Sequence, residues 1–283
     1  MKVAYLGPAG TFTEEALRAS VPGPVEEVPY PSVYEAVMAV QNGEVDRAVV
    51  PIENSIEGSV TATLDALAGE AADVRIAGEV VQPIAHCLVA RGQLPFERIS
   101  RVVSHPQATA QCARFLRERL PGAERVSAAS TAEAVRTVAE SDDRWAALGS
   151  RLAADLYGCR VLAEGVEDHA HNQTRFVWLA PRGGAREPFG EGGPFKTSIA
   201  FWGFNDDSPG ALVAILGELS SRGVNLSKIE SRPRRVQLGH YIMFADLDGG
   251  VDEPAVAEGL EAVAQRVREL RVLGSYPAAA RST

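Results

Sequence analysis

An amide, a hydroxyl and a guanidinium stand within four consecutive positions at Asn172, Thr174 and Arg175. Such a set suits an anionic small molecule. A guanidinium grips a carboxylate in a two-pronged contact that lysine cannot copy, while a hydroxyl and an amide fix orientation. The elements that must position these groups can be read from the flanks. Residues 175–180 form an apolar run, with Phe176, rich in β-branched and aromatic types, which reads as a buried strand. Residues 167–174 are polar and aperiodic, which reads as the loop feeding that strand.

Two further loops carry candidates. A strand at residues 3–6 runs through Gly7-Pro8-Ala9-Gly10 into Thr11-Phe12-Thr13-Glu14, a capping-box spacing. The unpaired N–H groups of the helix it opens, with Thr11 and Thr13, make an anion site, although the same turn also serves plain connectivity. A strand at 47–52 runs into Glu53-Asn54-Ser55-Ile56-Glu57-Gly58-Ser59. In α/β sheets ligands bind beyond the carboxyl ends of strands, so Asn54 and Ser55 are binding candidates; their other reading is as caps of a helix at 60–67. Ser104 ends a strand at 101–104, and Pro106 starts a helix over 108–120. His86 and His105 read as structural histidines. His169 and His171 read as loop-surface residues, since no further ligands at metal spacing accompany them.

The remaining pattern alternates. Ser32 and Glu35 open a helix to Gln41, and Ser130 with Glu133 forms a third capping box. Strands are expected at 74–81, 84–89, 125–128, 145–148 and 161–166, with a helix at 150–157. Repeated βα units imply a largely parallel sheet, and two clusters of them imply two lobes around a cleft. Eight of the fourteen residues at 181–194 are Gly or Pro, the clearest linker in the chain. Beyond it come a strand (196–204), a helix (211–221), strands (226–232 and 240–246), a helix (253–270) and a strand (272–276). The order βαββαβ is the ferredoxin-like split unit. Arg232, Arg234 and Arg235 read as a solvated turn or an interface rim, and the tail from residue 277 as disordered.

Composition bounds the partners. The 283 residues are 46% hydrophobic, enough for two cored domains, and the net charge of -9 opposes a nucleic-acid surface. Cys87, Cys112 and Cys159 form no disulfide pattern and read as buried reduced thiols. No run approaches the roughly 20 apolar residues of a membrane helix. No secretory leader is evident, so a cytoplasmic protein is expected.

An ordered set of motifs then resembles one family over nearly the whole chain. Gly7-Pro8-Ala9-Gly10-Thr11-Phe12-Thr13, Pro51-Ile52-Glu53-Asn54-Ser55-Ile56-Glu57-Gly58-Ser59-Val60, His86-Cys87-Leu88, Ser104-His105-Pro106-Gln107-Ala108, Glu167-Asp168 and Asn172-Gln173-Thr174-Arg175-Phe176 resemble prephenate dehydratases. Pro209-Gly210-Ala211-Leu212, Asn225-Leu226 and Glu230-Ser231-Arg232-Pro233 resemble the family's regulatory ACT domain. The resemblance implies an α/β fold. Residues 1–180 would form a two-lobed catalytic region like a type II periplasmic binding protein, with lobes of about 1–75 plus 165–180 and 76–164. Residues 195–276 would form the ACT domain. It implies decarboxylative dehydration of prephenate to phenylpyruvate, the step toward L-phenylalanine, with no cofactor. Thr174 is the catalytic residue it implies, with Thr11, Thr13, Asn54, Ser55, Ser104, Asn172, Arg175 and Phe176 around the substrate. L-Phenylalanine would inhibit from a pocket of Gly210, Ala211, Leu212, Asn225 and Leu226, in a homodimer or homotetramer joined through ACT domains. Glu53 and Glu57 are rival proton donors, and arogenate is a rival substrate. A non-enzymatic solute-binding protein is the reading from a different class. Two stretches depart from the family pattern: the acidic loop Asn205-Asp206-Asp207-Ser208, and residues 234–240, which lack an aromatic before Tyr241.

Overall fold

The capping-box spacings at Thr11, Ser32 and Ser130 open helices in the computed structural model, which describes residues 1–21, 23–183, 193–204, 208–234 and 239–279. Residues 184–192 of the expected linker, Asn205, Asp206 and Asp207 of the acidic loop, Arg235 of the arginine cluster and residues 280–283 of the tail lie outside the described residues. So do residues 235–238 of the second departure from the family pattern.

The chain begins with β1 (Lys2–Leu6), and Thr11 then caps α1 (Phe12–Ser20) by accepting from the Glu14 N–H at 3.4 Å. After β2 (Glu26–Tyr30), Ser32 accepts from the Glu35 N–H at 3.1 Å ahead of α2 (Val33–Gln41). Each such cap stabilises its helix by about 1 kcal/mol. There follow β3 (Arg47–Asn54), β4 (Gly58–Ser59), α3 (Thr61–Ala68), β5 (Val74–Pro83), β6 (Cys87–Ala90) and β7 (Arg101–Ser104). Next come α4 (Pro106–Gln111), α5 (Ala113–Arg119), β8 (Glu124–Ser127), α6 (Thr131–Glu140), β9 (Trp145–Gly149), α7 (Arg151–Leu156), β10 (Arg160–Glu164) and β11 (Gln173–Pro181). The C-terminal part comprises β12 (Phe195–Trp202), α8 (Ala211–Ser220), β13 (Leu226–Pro233), β14 (Tyr241–Asp248), α9 (Pro254–Ala264) and β15 (Glu269–Pro277).

These strands make three sheets, in a mixed α/β fold of the expected class. The first has the order β2-β1-β3-β11-β5, with β4 paired to β3; the second has the order β10-β6-β9-β7-β8. The second is mixed rather than largely parallel, because β6 runs antiparallel to both β9 and β10. The first sheet also extends past residue 75, where the lobes were expected to divide, since β5 continues unbroken to Pro83. β11 is buried along both faces from Phe176 to Ala180, which is why its sequence is a continuous apolar run rather than an alternation. The third sheet, β13-β14-β12-β15, is antiparallel throughout and gives the ferredoxin-like arrangement. Its helices α8 and α9 cover one shared core of Ile199, Phe201, Ile215, Leu219, Leu247 and Val263.

Three expectations shift in detail. The helix expected over 108–120 breaks at Cys112, whose φ of -112° and ψ of 20° leave the helical region. The last helix stops at Ala264, five residues before β15 begins, where residues 253–270 had been expected to be continuous helix. β2 was missed because Glu26 and Glu27 break its apolar pattern; it is an edge strand, largely wetted. Of the three thiols, Cys87 and Cys112 are buried and Cys159 is half-buried; burial pushes Cys112 up to about 12.

By contacts the chain forms two compact units. One comprises residues 1–36, 49–61 and 81–176; the other comprises 37–48, 62–80 and 177–283. The C-terminal domain is therefore not a free appendage, since it shares its unit with α3 and the start of β5. Arg232 grips the Asp65 carboxylate with two bonds of 2.8 and 2.9 Å. Lys196 reaches both oxygens of the buried Glu79 at 2.8 and 3.0 Å. Gly274 packs directly on the Ile76 carbonyl, where a Cβ would collide.

Candidate active site

The groups expected to carry chemistry meet within the first unit, at the end of β3 and the start of β11. Asn54 is the hub. Its Oδ1 accepts from two backbone N–H groups, Ile56 at 2.9 Å and Glu57 at 3.0 Å. A backbone N–H can only donate, so the amide orientation is fixed: the oxygen faces the loop and the nitrogen faces β11. Asn54 Nδ2 lies 2.8 Å from Asn172 Oδ1, 2.9 Å from Thr174 Oγ1 and 3.2 Å from the Gln173 carbonyl. The direction then propagates. Asn172 spends its oxygen on Asn54, so its nitrogen donates to Gln111 Oε1 at 3.1 Å. Gln111 in turn donates from Nε2 to Glu57 Oε1 at 3.3 Å.

One consequence concerns Thr174. Its oxygen accepts a hydrogen from Asn54, so that bond leaves the threonine's own hydrogen unspent. A donated hydrogen bond also stabilises any negative charge that builds on the oxygen, which makes the hydroxyl a better donor. Thr174 is buried, as is Asn172. Both stand at the start of β11, which begins two residues earlier than the apolar run alone implied.

Ser55 secures the same junction from its backbone and side chain. Its N–H donates to the Gln173 carbonyl at 2.9 Å, and its Oγ accepts from the Gln173 N–H at 2.9 Å. Arg175, with a side chain only 10% exposed, lies 3.3 Å from Glu53 Oε2. The cation is thus held by a carboxylate of the neighbouring strand.

The other expected residues are used differently. Thr11 donates to the Leu6 carbonyl at 2.8 Å and caps α1, and Thr13 is buried in the first turn. The buried Glu14 takes the Gly10 N–H at 2.6 Å, filling with the chain's own carboxylate part of the turn expected to greet an anion. That turn is anchored on the two caps of α7: Ser150 donates to the Gly10 carbonyl and Tyr157 to the Ala9 carbonyl, both at 2.8 Å. Ser104 has no exposed surface and donates to the Leu148 carbonyl at 3.0 Å, bridging β7 to β9. Phe176 lies in the core.

Gln111 was missed by sequence reasoning. It ends α4 where the helix had been expected to continue, and its partners are 25, 54 and 61 residues away. The Pro106 start was a local signal for the helix, but the break at Cys112 that ends it was not marked in the sequence pattern. His86 is 3% exposed, and burial pushes its imidazole below the usual histidine range. Among the described residues no cluster of three or more His, Cys, Asp or Glu side chains is arranged to hold a metal ion, and no helix is long and apolar enough to cross a membrane.

In the C-terminal domain, Gly210 sits at the N-cap of α8 with a left-handed φ of 83°, and open space lies where its Cβ would be. Ala211 starts the helix, while Leu212 and Leu226 pack on the same core. Asn225 is committed to Asp248, donating from Nδ2 at 2.8 Å.

Comparison with known proteins agrees with this architecture. A family model described as prephenate dehydratase matches residues 3–183, and one described as ACT domain matches residues 204–265. The chain is 42% identical over 287 residues to a prephenate dehydratase of Mycobacterium sp. (strain JLS), covering 98% of this chain and 89% of that one. The solved structure of a prephenate dehydratase from Arthrobacter aurescens in complex with L-Phe aligns with a TM-score of 0.88 at 41% identity, covering 98% of this chain and 90% of that one. A protein described as GqqA, a novel type of quorum quenching acylase, aligns with a TM-score of 0.86 at 30% identity, over 98% of each chain. An α/β region with a directed amide–hydroxyl cluster, followed by a ferredoxin-like ACT domain, defines the class. The chain belongs to the prephenate dehydratase family.

Proposed function

We propose that this chain converts prephenate to phenylpyruvate, carbon dioxide and water, and that Thr174 is the donor to the departing hydroxyl. Fold alone does not argue for this, because the acylase GqqA has nearly the same fold. The observation that carries it is the 2.9 Å bond from Asn54 Nδ2 to Thr174 Oγ1, whose direction leaves the threonine hydrogen available. Prephenate loses its ring carboxylate as carbon dioxide, and the bonding electrons enter the ring as it becomes aromatic. The carbon–oxygen bond breaks on the opposite carbon, and the leaving hydroxide takes up one proton to become water. A threonine hydroxyl is too weak an acid to supply that proton outright. It donates a hydrogen bond that tightens as charge develops on the leaving oxygen, with the net proton drawn from solvent.

Arg175 holds a substrate carboxylate, and Asn172 and Ser55 keep the donor in register. Thr11, Thr13 and Ser104 act by shaping the surrounding turns, and Phe176 by anchoring β11. Glu53 is the weaker rival as a proton donor, because its carboxylate is taken up in the ion pair with Arg175. In this reading residues 1–180 carry the reaction. The ACT domain binds L-phenylalanine at Gly210, Ala211, Leu212, Asn225 and Leu226 and feeds back on the reaction from a separate site. The relative bound to L-Phe supports that regulation. A homodimer or homotetramer through the ACT domains, and a cytoplasmic setting, complete it.

The test is phenylpyruvate formation from prephenate by the purified protein, with and without L-phenylalanine. Activity that L-phenylalanine suppresses is expected. Turnover of arogenate in place of prephenate would reassign the substrate, and inertness toward both would leave a non-enzymatic binding protein.

A further inference from the structure

The direction of the hydrogen bonds around Asn54 reaches one more residue, His86, which the reaction as described does not use. Gln111 Oε1 already accepts from Asn172, and it lies 3.1 Å from His86 Nε2. Two acceptors cannot share a bond, so Nε2 must carry the hydrogen and donate it. The ring is then neutral at Nδ1, and this atom is buried with no hydrogen-bond partner. Protonating Nδ1 would create a buried N–H facing no acceptor, which opposes the charged form on geometric grounds.

The ring itself is held firmly. Its face-to-edge contact with Phe12 has centroids 5.4 Å apart and planes at 81°. Its backbone N–H donates to Glu167 Oε2 at 2.8 Å, and its carbonyl accepts from the Val166 N–H at 3.1 Å. His86 is therefore a fixed donor at the far end of the chain His86, Gln111, Asn172, Asn54, Thr174.

We propose that His86 is a positioning residue for the reaction: as the neutral Nε2–H tautomer it pins the Gln111 carboxamide, which holds Asn172 and, through Asn54, the Thr174 hydroxyl. Without this donor the Gln111 carboxamide is held from outside the chain by its 3.3 Å bond to Glu57 alone, so its oxygen is less firmly placed for Asn172 and the register passed through Asn54 to Thr174 loosens. The effect falls on turnover rather than on binding, because Arg175 still holds the substrate. The proposal rests on the dehydratase reading for its kinetic part only.

The experiment compares two substitutions with a spectroscopic measurement on the wild type. His86→Gln keeps a donor where Nε2 stood; His86→Phe keeps the aromatic packing on Phe12 and removes the donor. The expected result is kcat within about threefold of wild type for His86→Gln and about 30-fold lower for His86→Phe, with KM within about threefold in both. A packing role predicts the reverse order, and His86→Phe turning over as well as His86→Gln overturns the proposal, as does equal impairment of both. Nitrogen-15 spectra of histidine-labelled wild-type protein at pH 7 must report the Nε2–H tautomer for His86. An Nδ1–H tautomer or an imidazolium overturns the assignment even if neither variant folds. Inactive wild-type protein would fail the dehydratase reading, while the ring's tautomer would still decide whether the chain of donors runs as assigned.

Discussion

The Asn54 cluster and the joint between the C-terminal domain and residues 62–80 are both polar contacts in partly dry surroundings, yet they use opposite materials. The first is built from neutral amides and hydroxyls, with Asn54, Asn172, Gln111 and Thr174 linked at 2.8 to 3.1 Å. The second is built from ion pairs, Arg232 with Asp65 and Lys196 with Glu79. A neutral amide has one donor end and one acceptor end, so a chain of amides carries a direction. An ion pair carries strength but no direction beyond its own two groups. In the proposed reaction the cluster presents a hydroxyl hydrogen to a dianion without adding a full charge, and amides suit that. The joint must hold two surfaces together, and charges with satisfied hydrogen bonds do that.

This contrast can be broken experimentally, beginning with the largest effect. Thr174→Val keeps the shape and removes the donor, and is expected to lower kcat on prephenate by about 10³-fold while KM moves little, as for loss of a transition-state hydrogen-bond donor. Near-normal kcat would remove Thr174 from the reaction. Asn54→Asp leaves the Ile56 and Glu57 N–H groups satisfied but turns the donor into an acceptor. The Thr174 hydroxyl must then donate to the aspartate and is lost to the substrate, so kcat should fall about 10²-fold. If the aspartate variant works normally, direction is not what the cluster supplies.

At the joint the readout is stability. Lys196→Met removes the ammonium that reaches both oxygens of the Glu79 carboxylate, whose side chain is 2% exposed. Removing one partner of a buried pair costs about 3–5 kcal/mol, which urea unfolding should register as a lower midpoint. Asp65→Asn acts on a pair with side chains 16% and 28% exposed, so solvent screening limits the loss to about 1 kcal/mol, and it should shrink in high salt. A joint as sensitive at Asp65 as at Glu79 would mean that burial does not rank these pairs.

The smallest effect is a pH dependence, and it belongs to the amide cluster. Burial holds the folded His86 imidazole below its ordinary value, against the pull of Gln111 and Glu167. The unfolded chain takes up that proton near pH 6.5 while the folded chain resists it. Stability from this group is therefore complete above that pH and declines as pH drops below it, until the folded ring protonates too. His86→Gln should reduce the difference in urea midpoint between pH 7.5 and 5.5, and an unchanged difference would mean that the ring is not held neutral.

Local pattern made much of this legible. Capping boxes at Thr11, Ser32 and Ser130 open helices because they need only side chains three residues apart. The βαββαβ order of residues 195–277 follows from periodicity and turns. Asn54, Ser55, Asn172 and Thr174 were visible as polar residues bordering apolar strands. Other features were not legible because their causes are distant in sequence. Gln111 joins partners from three segments, and Glu14 takes the N–H of the turn that sequence had opened to a ligand. Ser104 is polar at a strand end, which reads as binding, yet its hydroxyl is spent on Leu148.

The sequence by itself determined which groups are present and which short elements carry them, because propensity, capping and apolar period act over a few residues. Only the tertiary structure decided which way each amide points. Two backbone N–H groups at Ile56 and Glu57 orient Asn54, and that choice orders Asn172, Thr174, Gln111 and His86 in turn. A side-chain amide is nearly symmetric in shape and has opposite chemistry at its two ends, so its direction is set by what it meets in space.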